Sequence, residues 1–386
     1  MTQQFVELSE IIAKGSGSVN PAYYVDEHFE LYSIPAFDAG EPEAKTGAEI
    51  GSSKQVVKPG DVLLSKIVPH IRRSWIVGPA NGKRIIASSE WIVFRGERFD
   101  PKYLRHVLVG DPFHAEFMNT VAGVGGSLLR ARPSHVAKIK IPLPPLSEQK
   151  RIAEILDRAE ALRAKRRAAL ALLDELTQSI FLDMFGDPVS NPKGWELVPF
   201  DTVCESRLGK MLDAKQQTGK HLRPYLRNAN VQWFRFDLRD VLEMDFDAKA
   251  REMFRLRNGD LLICEGGEPG RSAVWRGEIQ ECYYQKALHC ARPRGETIEP
   301  DFLAWLLFFL SKRGGLGDHV TAATIAHLTG EKLKAMKICV PPITLLTAFV
   351  ARVSEIQQAK KLLTTSEYEL DQLFASLQHR AFRGEL

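Results

Sequence analysis

Two long stretches of this chain place apolar residues at a helical period. In the first, Ile155, Ala159, Leu162, Arg166, Ala169, Leu173, Leu176 and Ile180 follow a 4-3-4-3-4-3-4 spacing. In the second, Ile356, Ala359, Leu363, Ser366, Leu370, Leu373 and Leu377 follow 3-4-3-4-3-4. Such a spacing is an a/d seam, here with one polar intruder in each stretch, Arg166 and Ser366. Alone, either helix would leave its seam wet, so the pattern predicts that the two cover each other as an antiparallel coiled coil. Pro144-Pro145 followed by Ser147 marks the start of the first helix, and Gly186-Asp187-Pro188 marks its end. A helix over 147–185 would be roughly 58 Å long at 1.5 Å per residue.

The remaining sequence alternates in a way that suits strands, and it is written twice. KPGDVLLS at 58–65 returns as RNGDLLIC at 257–264, and DPKYLRHVL from Asp100 returns as EPDFLAWLL from Glu299, both at an offset of 199. AKIKIPLPP from Ala137 returns as KAMKICVPP from Lys334 at an offset of 197. Matches in one order at nearly one offset define an internal repeat. Each copy holds Gly-Asp turns entering buried strands, a helix opened by an acidic residue and proline, and a last strand ending at prolines. The expected fold class is α+β: two tandem α+β domains joined by two long helices, with pseudo-two-fold internal repetition. The expected segments are a first domain at 1–145, a spacer helix at 146–190, a second domain at 191–342 and a C-terminal helix at 343–386.

Composition fits this picture. The chain has 386 residues, 44% hydrophobic and 26% charged, with a formal net charge of +4. That mild basicity permits a polyanionic partner without requiring one. The N-terminus MTQQFVELSE has neither a basic nor an apolar leader region, so no secretory signal is expected. The most apolar run, FLAWLLFFL at 302–310, is too short for a membrane span and reads as a buried helix. Five unpatterned cysteines suggest reduced thiols in a cytoplasm.

Catalytic patterns are missing from the sequence: it has no GxxxxGK[ST], GxSxG or HExxH. Cys282, His289 and Cys290 lack a second pair at zinc-ligand spacing, so no metal site is expected. Asp38 with Glu43-Ala44-Lys45 imitates a nuclease D…ExK arrangement but has no counterpart in the second copy.

Basic residues, in contrast, cluster with amides. The stretch 206–236 carries Arg207, Lys210, Lys220, Arg223 and Arg227 with Asn228 and Asn230, and Arg271 follows in the glycine-rich CEGGEPGRSA. The first copy offers Lys66, His70, Arg72 and Arg73, then Ser127, Arg130 and Arg132. In the repeat, Thr324 takes the place of Ser127 and His327 that of Arg130. Arginine suits guanine edges and asparagine suits adenine, so different residues at matched places would let one scaffold read two sequences. The alternative is a solvated basic face.

IPLPPLSEQKRIAEIL, its repeat at VPPITLL, KPGDVLLSK and the terminal LFASLQHRAFRGEL resemble the specificity (S) subunit of type I restriction-modification systems. The second copy departs from the pattern, with Thr344-Leu345-Leu346 where the first has Ser147-Glu148-Gln149. The resemblance implies a non-catalytic subunit that binds double-stranded DNA, one domain per half of a bipartite site, with the helices as a ruler. It also implies docking of two methyltransferase (M) subunits and then restriction (R) subunits. S-adenosylmethionine, ATP and Mg²⁺ would belong to those partners, with no cofactor in this chain. An S-like subunit of a bifunctional type II system and a coiled-coil scaffold that binds no DNA are the other readings.

Overall fold

The computed structural model describes residues 4–15, 17–123, 129–212, 218–317 and 327–386. The chain divides into two compact units, one of residues 1–168 with 365–386 and the other of 169–364. The boundaries fall inside the long helices Leu146–Phe185 and Ile343–Ala381, so each unit combines a mixed α+β domain with half of each helix.

In the first unit, strand Val62–Ser65 is the centre of a three-stranded antiparallel sheet between Ser74–Ile76 and Trp91–Phe94. A five-stranded sheet lies beside it, in the order Ser18–Val19, Lys54–Val56, Arg84–Ala87, His28–Tyr32, Glu43–Thr46. Phe5–Glu7 pairs antiparallel with Lys140–Pro142, so the start of the domain is tied to the strand by which the chain leaves it. The second unit repeats this plan. Leu261–Cys264 lies between Ser272–Val274 and Leu288–Pro293, and Glu196–Pro199 pairs with Lys337–Val340.

The repetition extends to side chains. Asp61 is buried before its strand and takes both Arg95 Nε and Nη2, at 2.8 and 2.5 Å. Asp260 takes Arg292 Nε and Nη2 in the same way, at 2.7 and 2.8 Å. Each carboxylate also accepts from a turn N–H, Lys58 in one unit and Arg257 in the other, at 2.8 Å. The Gly-Asp of the repeated motif thus forms a turn whose aspartate fastens two strands together.

Helix Pro101–Val109 begins at Asp100, whose carboxylate caps the Lys102 and Tyr103 N–H groups at 3.0 Å. Its counterpart, Pro300–Lys312, is apolar almost all round and buried, as its sequence predicts. The starts of the long helices differ as their sequences do. Gln149 is buried and clamps the first helix to its domain, accepting from Asp100 N at 2.8 Å and donating to Pro144 O at 2.7 Å and Arg98 O at 3.1 Å. Leu346 stands at the matching place, buried in the core of the second unit with Phe349, Phe181 and Phe302. The helix starts one residue before the expected cap, so Ser147 lies within it.

Within each unit the helix halves pair antiparallel. Arg163 and Arg167 of one face Asp371 and Glu367 of the other in the first unit. Phe181 meets Phe349, and Asp174 pairs with Lys360, in the second. The frame of the seam is shifted from the expected one. Ala159, Leu173, Ile180, Ile356, Leu363, Leu370 and Leu377 are buried or half-buried as expected, and Ile155 and Ala359 are half-buried. Leu162, Leu176 and Leu373, however, are exposed at 53%, 46% and 51%. The positions one residue further along, Arg163, Thr177 and Phe374, are the ones turned inward. Arg163 fills its layer by pairing with Asp371 at 2.5 Å while its guanidinium lies over the Phe374 ring at 4.4 Å. Leucine periodicity therefore gives most of the seam, and Arg163, Thr177 and Phe374 complete it.

Candidate nucleic-acid interface

In the first unit, strand Val62–Ser65 runs into a loop that is zipped to the segment 129–131. Ala131 N donates to Lys66 O at 2.7 Å, Val68 N donates to Leu129 O at 3.1 Å, and Ile67 bridges Arg130. The expected candidates Lys66 and Arg130 thus meet, with His70 exposed on the same loop. Lys66 N also donates to Glu90 O at 3.0 Å, and the Glu90 carboxylate pairs with Arg130 at 3.1 Å. Arg132 is exposed.

Two candidates of this unit have other tasks. Arg73 is buried and binds both oxygens of Asp38 at 2.8 Å, holding that carboxyl below its ordinary range. Arg72 reaches Val109 O at 3.0 Å and Asp111 at 2.6 Å. The same contacts dispose of the D…ExK resemblance: Asp38 is committed to Arg73, and Glu43 to Lys45 and Ser33 at 2.5 Å each. Lys45 first, then Ser33, draws the Glu43 carboxyl down.

The second unit builds the same frame from different residues. Leu328 N donates to Glu265 O at 2.7 Å, and Gly266 bridges His327 as Ile67 bridges Arg130. The substitution of His327 for Arg130 read from the repeat is therefore a substitution at one structural place. Ser127 and Thr324 lie outside the described residues.

Several amide and basic candidates here are structural. Asn230 is 2% exposed and closes a turn, donating to Asp237 O at 2.9 Å and Asp240 O at 3.0 Å while accepting from Arg227 N at 2.8 Å. Asn228 donates to Gly266 O at 2.7 Å, and Arg271 donates to Asn228 O at 3.0 Å and pairs with Glu268 at 3.5 Å. Arg227 pairs with Asp240 at 2.5 Å. The ammonium of Lys210 donates to Asp245 O and sits 5.0 Å from the Phe246 ring centre. The buried Asn230 cannot face a base, so for this residue the composition pointed to the wrong chemistry. Arg223 and Arg207 pair at longer range with Glu281 and Glu205, at 3.4 and 3.8 Å, and Lys220 is exposed. Glu90 was not legible in the sequence, because only the tertiary fold brings it to Arg130.

Among the described residues, His106, Asp157 and Glu160 are the group that could hold a metal ion. Their charges are already compensated. Lys102 pairs with Asp157 at 2.9 Å, Arg105 with Glu160 at 2.5 Å, and His106 Nε2 lies 2.8 Å from Asp157. Burial drives the His106 pKa down. The five cysteines are free and buried, and burial pushes the Cys204 and Cys282 thiols up to about 12, so none is a reactive thiolate near neutral pH. No helix among the described residues is long and apolar enough to cross a membrane.

Two units of one plan, each presenting one loop frame with its own exposed side chains, make this a two-module protein. Comparison with known proteins narrows this. Residues 52–171 match the type I restriction modification DNA specificity domain. The type I restriction enzyme EcoKI specificity subunit of Escherichia coli (strain K12) is 22% identical over 284 residues, covering 68% of this chain and 61% of that protein. The aligned part thus spans under two thirds of that relative. The fold is shared with a chain from a structure describing complex assembly and conformational transition of the type I R-M system (TM-score 0.64, 22% identity, 99% and 98% of the two chains). It is shared also with a type I restriction-modification S subunit from M. genitalium (TM-score 0.58, 11% identity, 99% and 96%). The likeness to that domain is confined to residues 52–171, and the likeness to the solved structures is one of fold.

Proposed function

We propose that this chain reads double-stranded DNA for a type I restriction-modification complex. Each unit recognises one half of a bipartite site, and the two long helices set the gap between the halves. The observation that carries this reading is the repeated frame, Ile67 with Arg130 and Gly266 with His327: one scaffold displaying different side chains at one place. Exposed cations such as Arg132 and Lys220, with the half-buried Lys66, would supply phosphate contacts and the salt dependence, while a few loop side chains specify bases.

The chain recognises rather than catalyses, and it holds no cofactor of its own. S-adenosylmethionine, ATP and Mg²⁺ act in two methyltransferase subunits and in the restriction subunits that assemble with it. Exposed apolar residues on the long helices, Leu162, Tyr368 and Leu373 in the first unit and Leu172, Leu176 and Leu362 in the second, offer those partners a surface. Buried, unpaired thiols accord with work in the cytoplasm. Sequencing modified bases in the genome of the source cell, with and without this gene, tests the proposal. Loss of methylated adenine from one two-part motif with a fixed gap is expected, and an unchanged methylation pattern refutes it.

A further inference from the structure

The loop frame of the first unit contains a backbone outlier. Val68 has φ 47°, in the left-handed region, where a β-branched side chain is strained. The residue at the same place in the second unit is Gly267, with φ 77°, for which that conformation carries no such cost. Strain of this kind persists where surrounding contacts over-determine the backbone, and it collects at binding sites. Here the contacts are those that zip 66–68 to 129–131, so the strained turn fixes the position of Arg130.

The Arg130 side chain is 63% exposed, and among the described residues its partner is Glu90, through Nη2 at 3.1 Å. Among the described residues Nη1 has no partner, and Nη2 keeps a second N–H beside the one facing Glu90, so the end-on pair Nη1–Nη2 can still present two parallel donors. An exposed ion pair contributes little to stability, so it is better understood as a device that fixes the plane of the guanidinium. Glu90 is itself well placed for that task. Its carbonyl takes Lys66 N, its side chain is only 24% exposed, and its Oε2 is buried with no hydrogen-bond partner among the described residues. In the second unit Glu265 N donates to Ala287 O, so alanine stands where Glu90 does and His327 stands where Arg130 does. The oriented arginine is peculiar to the first unit.

We infer that Arg130 reads a guanine in the half-site bound by the first unit, with Glu90 as its positioning residue. The inference rests on the DNA-reading role proposed above. A planar guanidinium offers two parallel donors to guanine O6 and N7, which no other base presents as a pair of acceptors in the major groove. The carboxylate beside it holds the fork against rotation before DNA arrives.

The test is selection of bound sequences from a randomised duplex library by the full chain, at one fixed salt concentration. Wild type is expected to enrich two blocks with a guanine in the one read by the first unit. Arg130→Ala should reduce the preference for that guanine by roughly 5- to 150-fold, leaving the other block intact. Arg130→Gln should shift the same position towards adenine, because glutamine matches adenine N6 and N7. Glu90→Gln should weaken preference at that position alone, which a purely structural role would not do. Uniform loss of affinity with an unchanged motif in both Arg130 variants would show a phosphate contact and overturn the inference. A wild-type chain that enriches no two-block motif would instead overturn the DNA-reading role itself.

Discussion

Phe181→Ala removes the aromatic hub of the second unit. Phe181 lies near the end of the first long helix and is fully buried. Its ring centre is 4.6 Å from Phe309, 5.1 Å from Phe185, 5.6 Å from Phe349 and 5.7 Å from Phe302. Those partners come from the domain helix Pro300–Lys312 and from both long helices. Truncating a buried phenylalanine costs about 3–5 kcal/mol, and four ring contacts around a rigid site place this one near the top, about 4–5 kcal/mol. In a unit of about 200 residues each kcal/mol moves Tm by about 2–4 °C, so the second unit should melt about 8–20 °C lower. Differential scanning calorimetry of the full chain is the assay, with the transition of the first unit as internal reference. A shift below about 2 °C would show that the end of the helix is not part of the core of the second unit and would refute this reading.

The charges around His106 and the length of the helices give two more tests. His106 is buried against Asp157, Arg105 and Phe374, with Lys102 and Glu160 beside them, and its pKa is lowered, chiefly by burial. The unfolded chain therefore takes up the proton first, so His106 contributes its full stability above pH 6.5, and this is lost as the pH falls through the lowered folded value. Melting curves from pH 7.5 to 5 should show a flatter pH slope for the first unit in His106→Gln, and an unchanged slope would refute this. On the ruler reading, inserting seven residues in each long helix, after Ala168 and after Thr364, adds about 10 Å, or about three base pairs of gap. Both half-sites should stay as they were, and an unchanged gap would defeat the ruler.

The repeat and the fold class were legible in the sequence because strand-turn motifs carry local chemistry. KPGDVLLS and RNGDLLIC predict the matched central strands, and their aspartates make matched ion pairs. The seam was legible only in part. A leucine pattern favours Leu162 and Leu373, but Arg163 and Phe374 stack on each other in the layer that those leucines would have filled. Nor does residue type separate a base reader from a turn fastener: Asn230 has the chemistry for adenine and spends it on Asp237 and Asp240. His106 has Trp305 at its matching place, stacked on Phe234 at 4.0 Å, while Phe302 and Phe309 of the same domain helix meet Phe181, so one domain meets its long helix through charges and the other through rings. Such exchanges follow from tertiary neighbours, which a single sequence does not display.

The central claim, one unit for each half of the site, is tested most directly by replacing residues 1–145 with those of a related specificity subunit of known motif and determining the recognised motif. One half of the motif should change to that of the donor while the other half and the gap remain. A change in both halves, or in neither, would contradict the assignment of one half-site to each unit.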